Sequence, residues 1–349
     1  MNNNRPLETV GGGGLNGGVF HQIISLENLL VAWQEFRRGK RTKSDVAQFE
    51  FSLENNLFNL RQQLKTKTYR PDQYTPFYIC DPKRRLIHKA SVRDRVLFQA
   101  IYRVLYPIFD RQFIFDSYSC RVGKGTHRGV RRLEQFAKKV TANYHFPAYV
   151  LKCDVRKFFD SIDHKILCGI CYKQIIDPEA RWLIDLIINS FWSTPGRGLP
   201  LGNVTSQLFA NIYLNQLDQF IKNQLKQKYY LRYCDDFIIL SDNADKLAAL
   251  LAPISDFLTE NLNLTLHPQK ITLRKTNQGV DFLGYIILPY RRVLRTTTKK
   301  RIFRKIKQGM SNEAWQSYLG ILKHCCGHKI WHQILVDNAE LAGNKWGGV

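Results

Sequence analysis

The stretch YYLRYCDDFIIL at residues 229–240 decides the fold, because it predicts two short apolar strands joined by a tight turn. The turn carries two adjacent carboxylates, Asp235 and Asp236. Like charges side by side at a hairpin tip repel each other, so we expect something cationic to bind there. Aspartate is also common in ordinary turns, and a plain turn is the alternative interpretation of this tetrapeptide.

Another carboxylate, Asp154, ends a second predicted strand, AYVLKCDV at residues 148–155. Carboxylates carried by two strands that converge on one face can hold two Mg2+ ions about 4 Å apart. Such a pair of ions activates an attacking 3′ hydroxyl and stabilises a pyrophosphate leaving group. Asp154 therefore makes a plain turn at 235–236 the weaker interpretation.

Helical patterns surround these strands. Two amphipathic helices are predicted near the start, over residues 26–36 and 49–64, and a third is predicted to end near Pro107. A further helix begins after residues 202–206. It carries its apolar residues on one face: Leu208, Phe209, Ile212, Leu217, Phe220 and Ile221.

The chain is strongly cationic, since 52 Lys and Arg against 29 Asp and Glu give a formal net charge of +23. With 44% hydrophobic and 12% aromatic residues, disorder is disfavoured. A polyanionic partner is expected, nucleic acid before an anionic membrane. No run of about 18 apolar residues is present, and residues 1–10 lack the order of a signal peptide. Eight scattered cysteines predict no disulfide framework, and therefore a reducing compartment.

The most cationic segment lies at residues 291–307, which hold nine Lys or Arg. We predict a basic helix laid along a nucleic-acid backbone there, and a merely solvated face is the alternative. A cluster of potential metal ligands follows: His324, Cys325, Cys326, His328 and His332. Its spacing does not suit a tetrahedral zinc site, so helix packing is favoured over zinc.

In their order along the chain, these motifs resemble those of reverse transcriptases from about residue 20 to 335. The resemblance implies an α+β, right-hand polymerase fold with fingers, a palm built on an antiparallel sheet, and a small helical thumb. It implies that Asp154, in LKCDVRKFFD, and Asp235 and Asp236, in YCDD, are catalytic and bind two Mg2+ ions, with Mn2+ as a substitute. Phe159 stands where the family places a steric gate against the ribose 2′ hydroxyl; core packing is the alternative for this ring.

The resemblance extends to residues that would contact the nucleotide and the primer. Arg121, in SYSCRVGKG at residues 117–125, and the PKRR run at 82–85 resemble elements that touch the incoming triphosphate, which a planar guanidinium can grip. Lys270, in HPQKITL, stands where the family carries a lysine near the leaving group. VDFLGY at 280–285 resembles the hairpin that grips the primer end.

The run GLPLGNVTSQ at residues 198–207 narrows the resemblance. Most reverse transcriptases carry roughly PQGxxxSP there, whereas here Leu201 replaces the Gln and Gln207 replaces the Pro, around Gly202 and Ser206. This form resembles the polymerases of diversity-generating retroelements, which implies copying of a template-repeat RNA into cDNA with errors concentrated at adenines. These four residues would bind the substrate. Because the Leu201 side chain has no amide group, it cannot hold the nascent base pair in register by a hydrogen bond. Looser geometric checking of that base pair is the expected consequence.

Residues 1–20 are Gly-rich and show no apolar period, so they predict a flexible leader. By the same resemblance the chain would comprise mainly fingers at 21–147, mainly palm at 148–288 with interleaving, and a basic helical thumb at 289–349. The implied partners are template RNA, DNA primer or target and cDNA, dNTPs and a small basic helical accessory protein, with no membrane. The implied location is the cytoplasm of a bacterial, phage or archaeal host cell. The alternatives are a conventional group II intron-like, retron or defence-associated reverse transcriptase and, more remotely, a non-catalytic RNA-binding relic.

Overall fold

The computed structural model of the chain describes residues 18–80, 84–309 and 312–327. Outside these ranges lie nearly all of the predicted leader, Pro82 and Lys83 of the PKRR run, and His328 and His332 of the potential metal cluster. No metal site or membrane segment can therefore be described there.

The chain divides into two compact units, which interleave along the sequence. The first unit is formed by residues up to Arg111 and by Asp163–Phe209. The second unit is formed by Gln112–Ile162 and by the residues from Ala210 onward. The boundaries of fingers, palm and thumb given above stay a prediction.

The described residues form helices and strands in the following order. The helices are α1 (Val19–Ile23), α2 (Leu26–Phe36), α3 (Ser44–Phe51), α4 (Leu53–Lys65), α5 (Val92–Asp110), α6 (Thr126–Val140), α7 (Phe158–Ser161), α8 (His164–Tyr172), α9 (Pro178–Ile188), α10 (Val204–Gln219), α11 (Ala244–Ala249), α12 (Leu251–Leu262), α13 (Thr296–Lys307) and α14 (Asn312–Leu322). The strands are β1 (Thr75–Ile79), β2 (Arg85–Lys89), β3 (Tyr149–Asp154), β4 (Tyr230–Tyr233), β5 (Asp236–Ser241), β6 (Thr272–Lys275), β7 (Val280–Phe282), β8 (Tyr285–Leu288) and β9 (Arg291–Leu294).

The first unit is mainly helical, with α2 packed against α5 and a two-stranded antiparallel hairpin formed by β1 and β2. Ser25 begins α2 as an N-cap, because its hydroxyl accepts a hydrogen bond from the backbone N–H of Asn28 at 3.1 Å. Leu29 and Trp33 are then buried one helical turn apart.

Two helix boundaries predicted in the first unit are wrong. The helix predicted over 49–64 is interrupted at Ser52, whose φ of −116° and ψ of 39° are not helical, so α3 and α4 are separate. Helix α5 continues through Pro107 to Asp110. Proline removes a single N–H donor, and so close to the end of a helix whose apolar face is already buried, that loss does not end the helix.

The centre of the second unit is a four-stranded antiparallel sheet with the order β4-β5-β3-β6. Strands β4 and β5 form the predicted hairpin, and β3 is the strand predicted at 148–155. Strand β3 is paired with β5 on one edge and with β6 on the other, and its residues Leu151 and Cys153 are completely buried. Helices and antiparallel sheets together confirm the predicted α+β class.

A second antiparallel sheet, β7-β8-β9, contains the predicted hairpin at 280–285. Its turn residues Leu283 and Gly284 have φ of 51° and 90°, as a tight two-residue turn requires. Helices α6, α13 and α14 share a hydrophobic core with this sheet. From α13, Ile302 and Ile306 enter the core.

The environment of α10 differs from its prediction. The sequence predicts that α10 buries one apolar face, but the polar residues Asn211, Asn215 and Asp218 of this helix are buried as well. A polar side chain can be buried at low cost when it is hydrogen-bonded, and the apolar pattern does not report such bonds. A π-helical turn, Phe220–Gln224, follows the helix.

None of the helices within the described ranges is long and apolar enough to cross a membrane. All eight cysteines carry free thiols. Near the end of the described chain, His324 stacks on His127 with ring centroids 3.8 Å apart. This contact fits the favoured interpretation of the His/Cys cluster as a packing element.

Candidate active site

The two adjacent carboxylates lie where β4 turns into β5. Tyr233 pairs with Asp236 across the hairpin, so Cys234 and Asp235 form a two-residue turn. Cys234 has a φ of 57°, a left-handed conformation for which glycine is usual at the first position of some tight hairpin turns. The backbone is therefore strained directly beside Asp235.

The sheet brings Asp154 to this turn, because Asp154 of β3 is the register partner of Asp236 of β5. Residues directly opposite each other in an antiparallel pair project from the same face, with their Cβ atoms about 5 Å apart. The backbone N–H of Val155 also donates to the carbonyl of Asp235 at 3.1 Å. The end of β3 is thus tied to the acidic turn by the backbone itself.

Lys270 lies beside Asp154. It ends a short 3-10 turn, Pro268–Lys270, and its Nζ donates to Oδ1 of Asp154 at 2.7 Å. The preceding His267 donates its backbone N–H to the Asp154 carbonyl at 2.8 Å. The structure therefore brings Lys270 to the acidic cluster, although its role toward a leaving group stays a prediction.

A second lysine, which the sequence analysis missed, lies beside Asp236. Nζ of Lys152 is 3.1 Å from Oδ2 of Asp236 and donates to the carbonyl of Asp281 at 2.9 Å. Lys152 precedes Asp154 by two residues on β3, so both project from the same face. The two-residue spacing of Lys152 and Asp154 is visible in the sequence. It indicates a contact between Lys152 and Asp236 only when the register of β3 with β5 is known.

Burial makes these carboxylates harder to ionise. It raises the pKa of Asp236 to about 6; the Lys152 ammonium acts against this, and the charges of Asp154 and Asp235 add to it. Burial, followed by the charge of Asp154, also raises the pKa of Asp235. Three negative charges held this close favour a bound cation.

The donor set fits a hard divalent cation in its chemistry, since carboxylate oxygens are the ligands that Mg2+ prefers. Oδ1 of Asp236 is buried and has no hydrogen-bond partner among the described residues, which leaves one oxygen unsatisfied. Within the same residues, no three His, Cys, Asp or Glu side chains surround a common point as a ready metal cage. Asp154 and Asp236 are thus neighbours through the sheet register, with Lys270 in contact with the first and Lys152 with the second.

Phe159 follows on α7, on the same segment as Asp154. Its ring is half-buried and contacts the ring of Phe158 edge-on at 5.5 Å between centroids, while Phe158 itself is buried. Phe158 therefore supplies the core packing at this point. Phe159 is partly exposed, and its contact with a substrate stays a prediction.

Arg121 makes contacts within the protein. Its Nη1 donates to the carbonyls of Ile114 and Ser117 at 2.7 and 3.1 Å, and its guanidinium lies over the ring of Phe113. These bonds hold the preceding loop, and contact with a triphosphate stays a prediction. From the PKRR run, Arg84 stacks on Tyr78 at 4.0 Å.

The loop at 198–207 belongs to the first unit, whereas the aspartates belong to the second. The carbonyl of Leu201 accepts a hydrogen bond from the backbone of His88 in β2 at 3.3 Å. Gly202 has a φ of 108°, and a Cβ there would lie 2.9 Å from Ile87. Ser206 is buried, while Gln207 is exposed. The loop therefore packs on the β1-β2 hairpin, and Gly202 is required by that contact.

A basic pocket of about 400 Å³ lies elsewhere in the second unit. Its lining includes five Lys and Arg side chains from α6, β9 and the segment after α14, namely Arg131, Lys138, Arg291, Arg292 and Lys323, together with His324, Tyr144 and Tyr290. Its described acid, Glu134, forms an ion pair with Arg292. Arg295 likewise pairs with Asp281. Two cations of the basic segment at 291–307, Arg292 and Arg295, are therefore paired within the protein.

Comparison with known proteins identifies the family to which the sequence of this chain is similar. Residues 80–287 match the family described as reverse transcriptase (RNA-dependent DNA polymerase). The chain is 20% identical to the COX1/OXI3 intron 2 protein of Saccharomyces cerevisiae, over 88% of this chain and 42% of that protein. It is 23% identical to the group II intron-encoded protein LtrA of Lactococcus lactis subsp. cremoris, over 81% of this chain and 58% of LtrA.

The chain thus spans less than two thirds of either relative. Among solved structures it is similar to apo telomerase from Candida tropicalis, with a TM-score of 0.48 and 14% identity over 69% of this chain and 60% of that one. The helices and antiparallel sheets described above agree with the right-hand polymerase fold of the family that residues 80–287 match. Because the family match covers more than half of its residues, the chain belongs to the reverse transcriptase family.

Proposed function

We propose that this protein is an RNA-directed DNA polymerase that adds deoxynucleotides to a primer 3′ end. The observation that carries the proposal is the register of Asp154 with Asp236, beside the turn that carries Asp235. Asp154 and Asp236 lie on paired strands and Asp235 lies in the adjoining turn, and the family's metal-binding motifs carry aspartates at these positions. A relic without catalysis would have no reason to retain buried carboxylates with raised pKa values.

Two Mg2+ ions bound by Asp154, Asp235 and Asp236 would supply the charge that activates the 3′ hydroxyl and neutralises the departing pyrophosphate. Asp236 offers the unsatisfied Oδ1 for this purpose. Lys270 is 45% exposed on its side chain, so its ammonium can leave Asp154 and approach a phosphate. Phe159 would exclude a ribose 2′ hydroxyl.

Nucleic acid is the partner that the charge favours. The chain carries a net charge of +23, and the basic pocket adds exposed cations beside Tyr290, whose ring is 78% exposed. Cations that neutralise phosphates release counterions, and an exposed ring can stack on a base. Template RNA and a DNA primer are therefore the proposed partners.

The finer proposal is mutagenic copying of a template-repeat RNA, assisted by a small basic accessory protein. It rests on Leu201 and Gln207 in the 198–207 loop. A second candidate is a group II intron-type reverse transcriptase, which the similarity to LtrA favours. Both candidates share the same carboxylate chemistry, so the fidelity of the cDNA product distinguishes them.

One experiment tests both levels. The full chain would copy a defined RNA with a DNA primer, dNTPs and Mg2+, with and without the product of a neighbouring small open reading frame, and the cDNA would be sequenced. We expect cDNA from the wild type and from Asp256→Asn, which alters an exposed aspartate on α12, but none from Asp235→Asn. RNA binding should be nearly unchanged in Asp235→Asn.

The outcome separates the candidates. Errors concentrated at template adenines support the mutagenic polymerase, whereas faithful cDNA supports the intron-type enzyme. Absence of cDNA from a folded wild-type protein under both conditions would contradict the polymerase proposal.

A further inference from the structure

A completely buried ion pair lies directly behind the acidic turn. Arg232 of β4 and Asp218 of α10 both have 0% side-chain exposure. Nε of Arg232 donates to Oδ1 of Asp218 at 2.8 Å, and Nη2 donates to Oδ2 at 2.6 Å. The hydroxyl of Tyr230 donates to Oδ1 as well, at 2.6 Å. This bidentate geometry fixes the plane of the guanidinium.

The remaining donors of Arg232 are also used. Nη1 donates to the carbonyl of Cys234 at 3.0 Å and to Oδ1 of Asn211 at 3.2 Å, and Nη2 donates to the hydroxyl of Ser117 at 3.2 Å. A guanidinium has five N–H groups, so these contacts engage all of them. The contact with Cys234 differs from the others because it reaches the turn itself.

The Cys234 carbonyl belongs to the peptide unit that precedes Asp235. Its residue has a φ of 57°, which costs about 1 kcal/mol or more for a side chain other than glycine. The next peptide unit is held from the other side, where the Asp235 carbonyl accepts the N–H of Val155. Both peptide units around Asp235 are therefore fixed, and with them the direction of its Cα–Cβ bond.

We propose that Arg232, oriented by Asp218, is a positioning residue that holds the peptide before Asp235 and so directs the Asp235 carboxylate toward its metal ion. The part of this inference that concerns a metal ion rests on the proposed function. A buried pair serving stability alone would not need to bond to the turn. Stability is also poorly served by such pairs, since desolvation offsets much of their attraction.

Arg232→Lys tests the inference because lysine keeps the charge but lacks the planar fork. The matched control is Arg132→Lys, which alters the Arg132–Asp116 pair of the same unit. Three quantities are measured: Mn2+ affinity by titration calorimetry of the protein with primer–template bound, hydrogen exchange of the peptide covering 233–236, and primer–template affinity.

We expect Arg232→Lys to weaken Mn2+ binding by about tenfold or more, as for outer residues that orient metal ligands, and to speed exchange in the turn. Primer–template affinity should be unchanged, and the control should behave as wild type. If Arg232→Lys fails to fold, Asn211→Ala replaces it as the test, because it keeps the ion pair and removes one partner of Nη1. We expect Asn211→Ala to change the Mn2+ affinity and the hydrogen exchange of the turn in the same direction, by a smaller amount.

A folded Arg232→Lys, or Asn211→Ala in its place, with wild-type Mn2+ affinity and wild-type exchange at 233–236 would overturn the inference. The two proposals fail separately. A wild-type protein that adds no nucleotide contradicts the polymerase function, while the exchange measurement still decides whether Arg232 holds the turn.

Discussion

Replacing Asp236 with asparagine should stabilise the folded protein at neutral pH. Burial raises the pKa of this carboxyl from an ordinary 3.8 to about 6, so folding makes its ionisation less favourable. The difference corresponds to about 3 kcal/mol, at 1.36 kcal/mol for each pKa unit. The side chain is 21% exposed, so solvent screens this cost only in part. Asparagine stays neutral, and its amide oxygen can still accept a hydrogen bond from Lys152.

The sign of the pH dependence follows from proton binding. Below pH 3.8 the carboxyl is protonated in both the folded and the unfolded state, so it does not lower the free energy of unfolding. Between pH 3.8 and about 6 the unfolded chain loses the proton first, so the folded state of the wild type becomes progressively less stable as pH rises. Above pH 6 the penalty is complete. The variant should lack this trend.

The assay is urea unfolding without divalent metal at pH 7.5, 5 and 4, with Asp256→Asn as the exposed control. We expect Asp236→Asn to exceed the wild type by about 3 kcal/mol at pH 7.5, by about half of that at pH 5, and by little at pH 4. Added Mg2+ should narrow the gap, because it would bind and stabilise the wild type. The raised pKa of Asp236 would be refuted as the cause if the variant were less stable than the wild type at pH 7.5, or if the difference in stability did not change with pH.

Three further substitutions test individual roles. Phe159→Ala should reduce discrimination against ribonucleotides by about tenfold or more in single-nucleotide addition, and unchanged sugar selectivity would remove the steric gate. Leu201→Gln should lower misincorporation opposite adenine in sequenced cDNA; an identical error spectrum would contradict the account of the loop. Lys270→Gln should slow nucleotide addition by about a hundredfold with an unchanged melting temperature, because the Lys270 side chain is 45% exposed. A wild-type rate would exclude Lys270 from the reaction.

The elements that carry the aspartates could be predicted because their patterns are local. A hairpin of apolar strands and a buried strand are recognisable from a few residues each. The errors in the first unit have a different origin, since Ser52 interrupts a regular apolar pattern and Pro107 fails to interrupt one. At Pro107 the burial of the apolar helix face outweighs a propensity cost of about 3 kcal/mol, whereas nothing in the apolar pattern marks the break at Ser52.

The candidate site could be predicted only in part, because its residues differ in the signal they leave. Asp235 and Asp236 were conspicuous as adjacent charges in an apolar context. Arg232 left a similar signal, as a cation between apolar residues of a short strand, but its partner Asp218 is distant in sequence and looks like an ordinary polar residue of a helix. A buried charge can be noticed in a sequence, but its counter-charge can be identified only in the fold.

The register between β3 and β5 is the information that the sequence lacks, and the site depends on it. In the observed register, Asp154 is opposite Asp236 and Lys152 lies diagonally across from it. A slip of one residue would move Asp236 to the opposite face from Asp154, because side chains alternate along a strand. The turn at Cys234 and Asp235 sets the register of β4 with β5, and the hydrogen bond from the Val155 N–H to the Asp235 carbonyl ties this turn to the end of β3. The contact from Arg232 to the Cys234 carbonyl therefore bears on all three aspartates, not on Asp235 alone.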